Sequence, residues 1–158
     1  AGAAIQGNVM STLTPQKVAE RCAEVLWPED RASQGMGMEL LEIGPGIARL
    51  RMRISENMVN CHGTCHGGYI FALADTAFAY ACNSYNQRAV ASGVDINFLS
   101  PARLGDILTA QGHARQQGGR SGVYDIEVVN QDGKPVALFR GRSTRIKGPI
   151  FENGSDNT

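Results

Sequence analysis

From Tyr69 to Cys82 apolar residues occupy every face of a helix, interrupted only by Asp75 and Thr76. A helix apolar all round belongs inside a protein, wrapped by other elements. This one is too short and too polar at its centre to span a bilayer, which takes about 20 apolar residues. Around it the period changes to two. Ala48, Leu50, Met52 and Ile54 alternate with Arg49, Arg51 and Arg53, the pattern of a half-buried antiparallel strand. Met36 to Ile43, joined to it through Gly44-Pro45-Gly46, completes a hairpin.

Four more strands are predicted over Val90 to Leu99, Ile107 to Gln116, Val123 to Asn130 and Val136 to Ile146. Ser100-Pro101, Gln117-Gly118-Gly119-Arg120 and Gln131-Asp132-Gly133-Lys134 separate them. Ahead of the hairpin, Thr14-Pro15 opens a helix with a hydroxyl cap and proline in the first turn. Val18, Cys22, Val25 and Leu26 give it an apolar side, Trp27-Pro28 closes it, and it is expected on the outside of the sheet. The order is helix, two strands, buried helix, four strands. It predicts an α+β domain, an antiparallel meander whose concave face encloses the central helix. Alanines 72, 74, 77, 79 and 81 are small enough to let the sheet curl closely around that helix. Residues 1–13 are expected to be a flexible leader, 14–147 one domain and 148–158 a flexible tail.

Fifteen basic residues balance fifteen acidic ones, which removes the electrostatic footprint of a general nucleic-acid binder. Weak self-repulsion also permits oligomers. Cys22, Cys61, Cys65 and Cys82 show no secreted disulfide framework, so a reducing cytoplasm with free thiols is expected. Neither nucleic acid nor membrane is an expected partner.

Gly67-Gly68 opens the central helix, where unpaired amides form a site for a negatively charged oxygen. Asp75 is a carboxylate inside the same helix. Burying such a charge is costly unless an arginine or hydroxyls partner it. A carboxylate together with amide donors is also the equipment of acyl transfer. Eight residues separate Asp75 from Gly67, about 12 Å along a helix, too far for one carbonyl to meet both. Two helices in a symmetric dimer resolve this, each offering amides to a site where the other offers the acid. Other chemistries fit less well. Cys61, His62, Cys65 and His66 are metal-competent, but no second ligand pair follows at a zinc-site spacing. No Gly-x-Ser-x-Gly elbow occurs. A Cys65 nucleophile beside His66 has no orienting acid nearby in sequence.

Asn60-x-His62-Gly63-Thr64-x-His66-Gly67-Gly68 followed by Leu73-Ala74-Asp75-Thr76-Ala77 closely resembles the hotdog-fold acyl-CoA thioesterases, in particular the phenylacetic acid degradation (phenylacetyl-CoA) group. The resemblance runs on through Val94 to Arg103, Gly119-Arg120 and Gly141 to Thr144, about residues 35–147. It implies hydrolysis of aryl-acyl-CoA (phenylacetyl-CoA or a ring-hydroxylated form) or related short to medium acyl-CoA; the alternative is a hotdog domain that binds acyl-CoA without turnover. Asp75 would be nucleophile or general base and the Gly67 amide would polarise the carbonyl. Asn60 would place water or the carbonyl from across a dimer, and His66 would orient the helix start. Gly68 and Thr76 would flank the substrate, Thr76 or Asn60 placing water where Ala79 has no hydroxyl. The nucleotide is expected near Ser100, Pro101, Arg103, Gly119, Arg120 and Ser121, with Arg142 or Arg145 as further phosphate ligands. Cys61 departs from the family, which has glycine there. The resemblance implies no metal or redox cofactor, coenzyme A being part of the substrate. The implied partners are acyl-CoA and further copies of the chain, as a homodimer and then a homotetramer.

Overall fold

Thr14 caps the first helix as expected, its Oγ1 accepting the Lys17 N–H at 3.2 Å, and α1 runs Pro15–Leu26. A computed structural model gives the fold over residues 13–152. After a 3-10 turn at Trp27–Glu29, Asp30 caps a one-turn helix α2 (Arg31–Gly35) that the hydrophobic pattern did not reveal. Then come β1 (Glu39–Gly44), β2 (Ile47–Arg53), the central helix α3 (Gly67–Cys82), β3 (Ala89–Phe98), β4 (Ile107–Gln117), β5 (Ser121–Val129) and β6 (Pro135–Arg145).

The six strands form one antiparallel sheet in the order β1-β2-β4-β5-β6-β3. This corrects the simple meander. Chain order is kept only within the β1–β2 hairpin and the run β4, β5, β6; β3 pairs with β6, and β4 returns to pair with β2. Four antiparallel steps lead from β2 to β3, so those two strands are parallel and α3 is the crossover between them. The crossover carries β3 to the far edge of the sheet. The longer connection 99–106 then brings the chain back, whereas 118–120 and 130–134 are tight turns.

The core fills the concave side. Ala74, Ala77 and Ala81 are fully buried, and Phe78 packs against Tyr124 and Phe139. Gly141 makes room for the Phe78 ring: a Cβ there would lie 2.8 Å from it. The enclosure is incomplete. Gly68 and Ala79 are exposed and Ala72, Asp75 and Thr76 are half-buried, so one stripe of α3 is left partly uncovered.

At the other end of α3 a second cluster closes the domain. Ile150 (6% exposed) and Phe151 (8%) pack with Cys22, Leu13, Val18, Val25 and Leu26. Asn86 holds them, its Oδ1 accepting the Ile150 and Phe151 N–H groups while its Nδ2 donates to Phe151 O. The packed chain therefore extends past the boundary expected at 147, because Ile150 and Phe151 cover the apolar side of α1. Residues 1–12 and 153–158, the rest of the expected leader and tail, lie outside the described residues.

Removing Phe151 tests this boundary. Phe151→Ala should lower stability by about 3 kcal/mol, the scale of a buried ring deletion, read as a lower urea midpoint at unchanged slope. A midpoint equal to the parent's would return residues 148–151 to a loose tail.

Candidate active site

The helix start is built by a tight loop. Asn60 Oδ1 accepts the His62 N–H (2.9 Å), the Thr64 N–H (3.2 Å) and the Thr64 hydroxyl (3.2 Å). Gly63, at φ +76, supplies the left-handed residue the turn needs. With its oxygen fully engaged, Asn60 keeps its NH2 as the uncommitted part of the side chain, a donor only. The returning limb is gripped on both sides. The His66 N–H donates to Met58 O at 2.7 Å, the Cys65 N–H to Ala102 O at 2.7 Å, and Thr64 bridges Arg103.

His66 is the N-cap of α3. Its Nδ1 accepts the Gly68 N–H at 2.9 Å and its backbone oxygen accepts the Tyr69 N–H at 3.0 Å. A neutral His66 in this bond carries its proton on Nε2. Two of the first three amides of the helix are thereby used. The third, Gly67 N–H, has no hydrogen-bond partner among the described residues and stands at the positive end of the helix dipole. An oxygen that gains negative charge during a reaction is stabilised at such a position.

Two turns further along, Asp75 makes no hydrogen bond or ion pair with any described residue. Burial holds its carboxyl above the ordinary aspartate range. An arginine or a set of hydroxyls that would mark a merely structural aspartate is missing from its surroundings among those residues. The cysteines offer no competing nucleophile. Burial pushes the Cys65 thiol up to about 11 and the Cys82 thiol up to about 12, so both stay protonated near neutrality.

A family model described as the Thioesterase superfamily matches residues 62–137, which include the helix start and Asp75. The acyl-coenzyme A thioesterase PaaI of Escherichia coli is 49% identical over 128 residues, 81% of this chain and 91% of that protein. This chain belongs to the hotdog-fold acyl-CoA thioesterases. The solved structure of the E. coli PaaI protein, from the phenylacetic acid degradation operon, superposes with a TM-score of 0.85 at 46% identity, covering 86% of this chain and 99% of that one. A hypothetical thioesterase protein of Streptococcus pneumoniae, solved with coenzyme A, superposes with a TM-score of 0.69 at 26% identity, covering 71% and 88%.

Within this thioesterase the expected site residues fall into three places. Asn60, His66, Gly67 and Arg103 gather at the start of α3, with Ser100 and Pro101 on the adjoining connection. Asp75 stands about 12 Å further along the helix. Gly119, Arg120 and Ser121 lie beyond the opposite end of β4, some ten residues or about 33 Å of strand from the Arg103 end. Within one chain, therefore, Arg103 and Arg120 do not meet at one phosphate group.

The structure gives several expected residues partners of their own. The Gly68 N–H donates to His66 Nδ1. The Thr76 hydroxyl donates to Ala72 O at 2.7 Å and meets Ser33 Oγ at 3.3 Å, so its proton is already committed. Ser100 donates its hydroxyl to Pro135 O. Sequence reasoning missed the supports: Ser33 against Thr76, Asp30 accepting from the Tyr80 hydroxyl at 3.0 Å, and Phe98 against Gly67. Only Phe98 stood within a segment that carried the family resemblance.

The free carboxylate has a consequence for stability. With its folded-state pKa raised, native Asp75 holds its proton to higher pH than the unfolded chain does. Stability therefore falls as pH rises from the ordinary aspartate range through that raised value, and the deficit persists above it. Asp75→Asn, which cannot ionise, should unfold at a higher urea concentration than the parent at pH 7. The difference should shrink as pH falls toward 4. A variant less stable than the parent at pH 7 would mean that the ionised carboxylate is stabilised by a partner.

Proposed function

We propose that this thioesterase hydrolyses aryl-acyl-CoA, phenylacetyl-CoA or a ring-hydroxylated form of it, or related short to medium acyl-CoA, to the free acid and coenzyme A, and that it does so at sites shared between two copies of the chain. One observation carries the proposal: a desolvated carboxylate with no partner among the described residues, two turns along the helix whose first amide is unpaired. A protein that only held acyl-CoA would have no use for that carboxylate, which lowers stability while it stays ionised. The E. coli relative's name and operon support the aryl substrate. A reducing, cytoplasmic setting goes with this activity, and all four thiols are free.

The second copy has a natural place to add. At one edge of the sheet Gln16 Nε2 donates to Ile43 O at 2.7 Å and α1 packs against β1. At the other, β3 presents ten residues whose outer side has no strand partner among the described residues, without proline or lysine to discourage pairing. Val90 (47%) and Phe98 (53%) lie exposed along it. Antiparallel pairing of β3 with its copy, about a two-fold axis near Val94, sets Val90 beside the partner subunit's Phe98. It lays the two α3 helices side by side, so that Gly67 of one faces Asp75 of the other.

The same operation reunites the phosphate ligands. Val90, Thr144 and Ser121 lie in one row across β3, β6 and β5, about 10 Å wide. The Arg120 turn therefore comes close to the partner subunit's Arg103. Around it stand Arg88, Arg142, Arg145 and Lys147, none in an ion pair with a described carboxylate. Unpaired cations suit the phosphates of coenzyme A. Two such dimers then associate as a tetramer.

In this arrangement the thioester oxygen accepts from Gly67 N–H and from the Asn60 amide. The partner subunit's Asp75 takes a proton from water as the water oxygen adds to the carbonyl carbon, and the resulting oxyanion is held at the helix start. Collapse breaks the carbon–sulfur bond, the thiolate takes the proton from Asp75, and acid and thiol leave. If Asp75 instead adds directly, collapse expels the thiolate and leaves a mixed anhydride; water then hydrolyses it, releasing the acid, restoring the Asp75 carboxylate and supplying the thiol's proton.

Asp75→Asn should preserve the fold and lower kcat by about 10²–10⁴, the usual loss for a positioned acid–base group. Mixing it with an Asn60→Ala protein, by refolding or coexpression, tests the sharing of sites. Half of randomly formed dimers are mixed and each has one intact site, so about a quarter of parental activity should return. Verified heterodimers without activity would refute the shared site.

Arg120→Ala should raise KM for acyl-CoA about tenfold, the size of one charged hydrogen bond. An N-acetylcysteamine thioester, which has no nucleotide, should react unchanged. Equal losses on both would assign Arg120 to the fold.

A further inference from the structure

We infer that Phe98 is a positioning residue for the oxyanion amide, its ring holding the first turn of α3 so that the Gly67 N–H stays unpaired and screened from water on one side; this rests on the thioesterase mechanism proposed above. A Cβ built on Gly67 would lie 3.1 Å from Phe98 Cζ, 3.4 Å from Cε1 and 3.6 Å from Cε2, so the ring already fills the space a side chain would need. Gly67 has an ordinary negative φ, so its backbone does not demand glycine. A side chain there would crowd the Phe98 ring, which would have to give by a few tenths of an ångström.

The contact is one rung of a ladder. Running in opposite directions, Phe98 meets Gly67, Ala102 O accepts the Cys65 N–H, and Arg103 bridges Thr64. The end of β3 and its exit loop thus template the loop that presents the amide. Phe98 is itself 53% exposed in the single chain, so burial in the core does not account for an aromatic ring at this place. It also ends the edge to which the second copy adds. Pairing of that edge fixes the ring, and the ring fixes the amide.

Steady-state kinetics on one acyl-CoA, with sedimentation and urea midpoints as controls, tests the role. Phe98→Ala should lower kcat about 10- to 100-fold, as loss of alignment at an oxyanion donor does, with KM changed less than about threefold. Phe98→Tyr should stay within about threefold of the parent. Gly67→Ala should be impaired about 100-fold. In the double variant Gly67→Ala/Phe98→Ala the new methyl group has room, so kcat should recover at least about tenfold over Gly67→Ala alone. A raised KM with unchanged kcat, or a double variant as poor as the product of the two single losses, overturns the role. If Phe98→Ala dissociates or unfolds, Phe98→Leu replaces it in both the single and the double variant, with the same expectations. A parent protein inactive on every acyl-CoA would refute the thioesterase mechanism; an active parent with the wrong kinetic split refutes only the role of Phe98.

Discussion

The close approach of α3 to the strands that curve around it is the constraint on which this molecule rests. Ala74, Ala77 and Ala81 turn their small side chains inward, and Gly141 yields its side-chain space to Phe78. A Cβ on Gly112 would come 3.4 Å from Ala77 O, so β4 passes almost in contact with the helix backbone. Protein interiors are packed densely enough that a methylene too many is felt. The helix is consequently fixed in height and rotation, and with it the direction of Asp75 and the position of the first amide.

A helix held in this way can carry an unfavourable charge. Asp75 lies on the stripe that the sheet leaves uncovered, where burial is enough to raise its pKa but provides no partner for the ion. The supports stand one residue and five residues further on. Thr76 meets Ser33, and Tyr80 is tied to Asp30 and stacks at a tilt on Trp27. Polar groups of α3 next to the acid are thus satisfied while the acid itself is left without a partner among the described residues, a distribution that concentrates the energetic cost at the residue proposed to do the chemistry.

The crossover topology has an equal part in function. Because β2 and β3 are parallel, α3 must run back along the sheet between them, and β3 ends at an edge. That edge is where the proposed second chain would complete both the acid–amide pair and the divided set of cations. Arg103 and Arg120 stand at opposite ends of the sheet in one chain, and an antiparallel two-fold exchanges those ends. In the proposed dimer one operation answers both separations.

Much of this was legible in the residues themselves. The cap at Thr14, the six strand segments, the apolar helix and the Asn60-to-Asp75 motif depend on local periodicity and on short-range chemistry, which a linear sequence records directly. The 12 Å between Gly67 and Asp75 follows from helix geometry alone, so the argument for a site shared between two chains could be made there. Tertiary structure decided what periodicity cannot encode, namely which strand lies beside which and which side chain meets which. Alternation says that a strand has a buried face, but β3 shows the same alternation whether its neighbour is β4 or β6. The Thr76 hydroxyl looked available until Ala72 O and Ser33 were seen to engage it. Phe98 looked like one more strand residue until the fold placed its ring on Gly67, thirty-one positions earlier in the chain. Ile150 and Phe151 looked like a tail because their partners on α1 lie more than a hundred residues away in sequence, a distance that only the folded chain closes.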